Sequence, residues 1–246
     1  MMLGGGIPSP SPWWHSASAT GLRRVNADSA TAFTNPVTQD VVFALADGIG
    51  DDAAAAHAAE VAASVAARTP ADEGPVSAVL TAQMALRAQG GRGDCVLVVA
   101  VPCTGEGGPG YRIGWVGDVR AYLLEGLVTG DRLRQLTTDH TLAQYLRDRG
   151  QPTSPRMEHL VTTSVRTVRP HQVGSTEIRG AGTLVLTSDG VHKVLTSAQL
   201  RTVLAAQPAQ PARALVDAAI RLGGSDNATA MVIDAGERAT ATLRAA

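Results

Sequence analysis

Aspartates recur in this chain where short apolar runs start or stop. Val41-Val42-Phe43-Ala44-Leu45-Ala46 leads into Asp47-Gly48, and Tyr111 to Val116 leads into Gly117-Asp118. Thr183 to Thr187 ends in Ser188-Asp189-Gly190, and Asp226-Asn227 opens the run Ala228 to Ile233. A further motif, Asn26-Ala27-Asp28, follows the basic pair Arg23-Arg24. A carboxylate at the end of a buried strand is rigidly aimed and costly to desolvate. Taken alone, each motif reads as a turn, with Asp closing it and Gly supplying unusual dihedrals. Taken together, they supply several hard oxygen ligands from separate elements. That is the chemistry of Mg²⁺ or Mn²⁺, which prefer oxygen in near-octahedral geometry.

The elements that must position these acids follow from hydrophobic periodicity. Short apolar runs bounded by turn residues predict strands near 40–46, 95–101, 111–117, 120–124, 132–136, 183–187 and 228–234. Asp51-Asp52 introduces an alanine-rich helix ending at Arg68 and Thr69-Pro70, and a second helix covers about 75–88. Asp139 to Arg149 predicts a helix with Asp139 as its N-cap, and two more helices fall near 197–205 and 211–222. Residues 151–180 are irregular, with strand-like pieces near 160–168. Helices in pairs and strands in runs favour an α+β fold with antiparallel sheets over strict βαβ alternation.

Composition narrows the classes. The chain has 246 residues, of which 44% are hydrophobic, so it can build a substantial core. Aromatics are only 3%, which leaves that core to Val, Leu, Ile and Ala. A formal net charge of −1 gives no basic face for nucleic acid. Cys95 and Cys103 read as buried thiols in a reducing compartment, too few for a disulfide framework or a sulfur metal site. No apolar stretch approaches the ~20 residues of a membrane span. Residues 1–12, rich in Gly, Pro and Ser, read as a flexible lead without the features of a secretory signal. The expectation is a cytoplasmic monomer with one domain over 13–246.

The order of the motifs resembles the metal-dependent serine/threonine protein phosphatases, the PPM or protein phosphatase 2C-like family, in its bacterial branch. The matching segments are Arg23-Arg24-Val25-Asn26-Ala27-Asp28, Asp47-Gly48-Ile49-Gly50, Gly117-Asp118-Val119-Arg120-Ala121-Tyr122, Leu136 to Thr141, Leu186 to Gly190, and Ser225-Asp226-Asn227-Ala228-Thr229. Each is weak alone; the ordered set is specific. The resemblance implies an α/β/β/α sandwich, two antiparallel sheets each covered by a helix pair, with two Mn²⁺ or Mg²⁺ ions at one edge. By position, Asp47 would bridge the ions and the Gly48 carbonyl would bind one. Asp189 and Asp226 would complete one ion's protein ligands, making Asp47, Asp189 and Asp226 the catalytic acids. Asp28 would serve the metal group directly or through water, and Arg23 would bind phosphate. Bacterial members often hold a third ion, for which Asp118 and Asp189 are the matching positions. Residues 142–180 correspond to the family's flap. The implied reaction is hydrolysis of phosphoserine and phosphothreonine in proteins, the products of a Ser/Thr kinase, by a hydroxide bridging two ions.

Four positions depart from the pattern. Ala27 stands where many members carry Glu, and Asp51 replaces the second glycine of Asp-Gly-x-Gly-Gly. Ile49 occupies the place of a histidine found in some eukaryotic members, and Cys95 lies where threonines are usual. Ala27 and Asp51 keep open an alternative: a catalytically weak or silent module that binds phosphoproteins or a kinase. A third reading is an enzyme of the same fold acting on small phosphorylated molecules. His57 is expected to pack or face solvent, His140 to make local hydrogen bonds or cap a helix, and Arg120 to form a structural ion pair.

Overall fold

The computed structural model describes residues 13–106, 108–126, 132–180 and 182–234. The N-terminal lead, 1–12, lies outside them. Ten strands form two antiparallel five-stranded sheets. One contains, in spatial order, β1 (Trp13–Ala19), β10 (Ala228–Asp234), β9 (Thr183–Thr187), β6 (Arg120–Glu125) and β7 (Arg132–Gln135). The other contains β2 (Asp28–Thr34), β3 (Val41–Gly48), β4 (Cys95–Cys103), β5 (Gly110–Val116) and β8 (Gly174–Arg179).

Three apolar layers hold these sheets in an α/β/β/α stack. Alternate residues of β3 and β4 face opposite ways, as the two-residue period of a strand requires. Phe43, Leu45, Val96 and Val98 enter the layer between the sheets with Ile113, Leu184, Leu186, Met231 and Ile233. Val42, Ala44, Ala46, Leu97 and Val99 face the helices α1 (Ala53–Arg68) and α2 (Gly74–Ala88). On the far side, α5 (Ser197–Ala205) and α6 (Pro211–Arg221) cover Tyr122, Val185, Ala230 and Val232. Helix α1 buries Ala55, Ala58, Ala59, Ala62, Ala63, Ala66 and Ala67, a helical stripe of methyls that lets it lie close to the sheet. Asp52 caps it by accepting from the Ala54 and Ala55 amides. Cys95 is a core residue as its setting suggested, with Sγ 3.7 Å from the Ala58 carbonyl oxygen.

Three expectations change. Asp139 is not an N-cap: α3 (Leu142–Arg147) starts later, and Thr141 caps it by accepting from the Gln144 amide. The 160–168 stretch forms no strand beyond an isolated bridge between Thr141 and Val161. It is fastened instead by side chains, since Gln83 donates to the carbonyls of Val165 and Val168 at 2.9 and 2.7 Å. The end of the supposed irregular region is the edge strand β8, paired with β5. Among the described residues, no helix is long and apolar enough to cross a membrane.

Candidate active site

All five acidic motifs reach one edge of the stack. Asp28 is the first residue of β2, and Asp47 lies next to the end of β3. Asp118 sits in the turn between β5 and β6, and Asp226 lies two residues before β10. Asp189 opens α4 (Asp189–His192), a single turn directly after β9. In the β2–β3 register Asp28 stands directly opposite Asp47. Residues opposite one another on antiparallel strands share a face, and like charges there repel. This pairing is tolerated only if a proton or a cation offsets it.

The electrostatics follow from that crowding. Burial, reinforced by the charges of Asp28, Asp189, Asp118 and Asp226, raises the Asp47 carboxyl well above its ordinary range. Burial likewise lifts Asp28 to about 7, with Asp189 and Asp226 pushing the same way and hydroxyls opposing. Ser188 Oγ donates to Asp28 Oδ2 at 2.7 Å and accepts from the Thr229 amide at 2.9 Å. The other oxygen, Asp28 Oδ1, is buried with no hydrogen-bond partner. A buried carboxylate oxygen left this way calls for a ligand.

The nearby cations are engaged on the rim. Arg23 Nη2 lies 2.6 Å from Asp226 Oδ2, bridging 203 positions of sequence, with both side chains partly exposed. Lys193 Nζ lies 2.6 Å from Asp118 Oδ2 and 2.9 Å from Asp189 Oδ2. Among the described residues, no three His, Cys, Asp or Glu side chains stand as an assembled metal cage. The pairing of Asp226, Asp118 and Asp189 with basic side chains is the physical reason to expect that arrangement without ions. The fit to a pair of divalent ions rests on what remains: Asp47 facing Asp28, the orphaned Asp28 oxygen, and the backbone at Gly48. A Cβ at Gly48 would fall 2.6 Å from the Ala55 carbonyl oxygen and 2.8 Å from that of Ala27, so only glycine fits there.

A surrounding hydrogen-bond frame fixes these groups. Asn227 accepts from the Ala27 amide at 2.8 Å and donates to the carbonyls of Thr20 and Val25, stapling the Arg23 loop to the start of β10. Asp51 accepts from the Arg24 and Val25 amides at 3.0 and 3.2 Å. Although its slight burial acts to raise it, those amides and the Arg24 charge hold the Asp51 carboxyl below its ordinary range. The Asp118 turn is braced by Gly117, whose φ of +90° suits glycine. Its amide donates to His140 Nδ1 at 3.2 Å, and its carbonyl accepts from the His140 amide at 2.8 Å. Arg120 forms the structural ion pair expected of it, reaching both oxygens of Asp139 at 2.9 and 2.6 Å. His57 is exposed on α1.

Two solved structures share this fold over almost their whole length. MsPP, a PPM Ser-Thr phosphatase from Mycobacterium smegmatis solved with cacodylate, superposes with a TM-score of 0.71 at 27% identity, covering 91% of this chain and 98% of that one. The catalytic domain of PstP with two manganese ions gives a TM-score of 0.71 at 27% identity, covering 91% of this chain and 97% of that one. In sequence, the serine/threonine protein phosphatase PstP of Mycobacterium tuberculosis is 29% identical over 240 residues, 89% of this chain and 46% of PstP.

In sequence and fold the chain is similar to the bacterial PPM serine/threonine phosphatases over about 90% of its length.

No protein-family model matches the chain. It spans about half the length of the curated relatives it matches. Against the PPM pattern, the alanine at position 27 is buried and contributes only backbone to the site. Asp51, the acid in a PPM glycine position, ties down the Arg23 loop, and Ile49 is half exposed beside it. Lys193, Ser188 and Asn227 are the site residues that the motif reading left without a role. For Lys193 a signal was present, because it lies four residues after Asp189 on a helical turn.

Proposed function

We propose that this chain is a Mn²⁺- or Mg²⁺-dependent phosphatase acting on phosphoserine and phosphothreonine in proteins. The observation that carries the reading is Asp47, half-buried opposite Asp28 and pushed up by its desolvation and by four other carboxylates, with Arg23 and Lys193 reaching only Asp226, Asp118 and Asp189 of the cluster. Asp28, Asp47, Asp189, Asp226 and the Gly48 carbonyl would hold two ions there; the PstP catalytic domain, at 27% identity, carries two manganese ions. When bound, such ions supply Lewis acidity that makes water nucleophilic near neutral pH and balances phosphoryl charge.

The chain's own residues do the rest. Ser188 fixes one oxygen of Asp28, and the other is buried with no hydrogen-bond partner. Arg23, on the exposed rim, offers a planar fork that suits phosphoryl oxygens. Asn227 and Asp51 hold the loop that carries it. The relatives' names favour phosphoprotein substrates over small phosphorylated molecules. A cytoplasmic setting belongs to the same proposal and is supported by two unpaired cysteines.

The test uses purified protein, an aryl phosphate and a phosphothreonine peptide. The reading predicts Mn²⁺-dependent turnover of both, abolished by Asp189→Ala. Absence of Mn²⁺-dependent turnover in the wild type would overturn it. Mn²⁺ binding without hydrolysis would favour the silent module instead.

A further inference from the structure

We propose that the Lys193 ammonium occupies the place of a third metal ion, so that this chain carries that cation covalently and binds two ions rather than three. The inference rests on the two-ion reading above and concerns the position between Asp118 and Asp189. There the carboxylates do not face open space. Lys193 Nζ contacts Asp118 Oδ2 at 2.6 Å and Asp189 Oδ2 at 2.9 Å, which are the distances of strong charge-assisted hydrogen bonds.

The local sequence fixes that ammonium in place. After β9, Asp189 to His192 makes one helical turn, and the Lys193 amide donates to the Asp189 carbonyl at 2.9 Å. One turn of helix sets residue i+4 above residue i, so the lysine rises beside the Asp189 carboxylate. The turn is anchored from below by Val191 and Leu195, both buried, and by His192, whose Nδ1 lies 3.0 Å from Thr187 Oγ1. Across the gap, the turn carrying Asp118 is held by two Gly117–His140 hydrogen bonds, one to the imidazole ring and one between backbones. A Cβ at Gly117 would fall 1.9 Å from Val96 Cγ1, so the turn has little freedom to move away. The Asp118 side chain is only 5% exposed and that of Lys193 only 18%.

Charge balance argues the same way, because one ammonium already stands between the two carboxylate oxygens. A divalent ion entering between the same two oxygens would have to expel a hydrogen-bonded cation or sit against it. Asp118 is thereby reassigned from a metal ligand to the anchor of Lys193.

The experiment counts Mn²⁺ per chain by titration to millimolar concentrations, reading free Mn²⁺ by electron paramagnetic resonance. Wild type should bind two ions and Lys193→Ala three. A wild-type count of three, or an unchanged count in Lys193→Ala, overturns the proposal. Asp118→Asn covers the case in which Lys193→Ala fails to fold. Its count should equal that of wild type, and loss of one ion would show that Asp118 holds metal. The wild-type count itself tests the two-ion reading, whereas the difference of one on removing Lys193 tests this inference. A chain that binds none, with a variant that binds one, would sink the former and keep the latter.

Discussion

In a chelator the protein should lose stability as pH rises from 3.8 to about 7, and Asp28 sets the size of the effect. Its carboxyl moves from an ordinary 3.8 to about 7, chiefly through burial. Each pKa step is worth about 1.4 kcal/mol, so the whole displacement corresponds to about 4 kcal/mol. The sign follows from linkage. Between those two values the folded chain holds a proton that the unfolded chain has lost, so stability falls as pH rises. The contribution is fully present below 3.8 and is lost as pH climbs through about 7. Other carboxylates titrate in the same range, and comparison with Asp28→Asn isolates this one. Urea unfolding in a chelator at several values from pH 4 to 8 should show wild type losing up to about 4 kcal/mol relative to Asp28→Asn. Saturating Mn²⁺ should remove most of that slope, because the ions offset the charge that the proton otherwise cancels. Parallel pH profiles for the two proteins in chelator would refute the reasoning.

Other perturbations probe the frame. Gly48→Ala places a methyl 2.6 Å from the Ala55 carbonyl oxygen, so it should cost about 2 kcal/mol in urea unfolding and depress Mn²⁺ affinity. Arg120→Ala strands the Asp139 carboxylate, whose side chain is 3% exposed, and should cost about 3 kcal/mol. The pair Arg120→Met with Asp139→Leu should recover most of that loss, also by urea unfolding. Asp51→Ala removes the acceptor of two loop amides, so KM for a phosphopeptide should rise roughly 10-fold with a smaller change in kcat.

The interior of this fold is legible in its sequence because buried strands are apolar on both faces and the helices carry clear start and stop residues. The strands that escape reading are β1, β2 and β8, and all three are sheet edges. Sequences such as Asp28-Ser29-Ala30-Thr31-Ala32 are small and polar, as suits a half-covered strand, and they give no apolar run. Missing β2 hid the fact that Asp28, too, lies at a strand end, opposite Asp47. The error at Asp139 has a different origin. The sequence Asp139-His140-Thr141 before the helix holds two residues able to cap it, and Arg120, nineteen residues away, captures the aspartate and leaves the cap to Thr141. The acids themselves were legible through their regular placement at strand ends. Their partners Ser188 and Asn227 were not, since pairing across 160 or 200 positions leaves no local mark, whereas Lys193 stands only four residues after Asp189.

The central claim is that these carboxylates assemble around two ions at Asp47. Crystals soaked in Mn²⁺ and measured at the manganese absorption edge test it most directly. The account predicts two anomalous peaks, both against the Asp47 carboxylate. A map with no peak at Asp47, under conditions where Mn²⁺ is saturating, would contradict it.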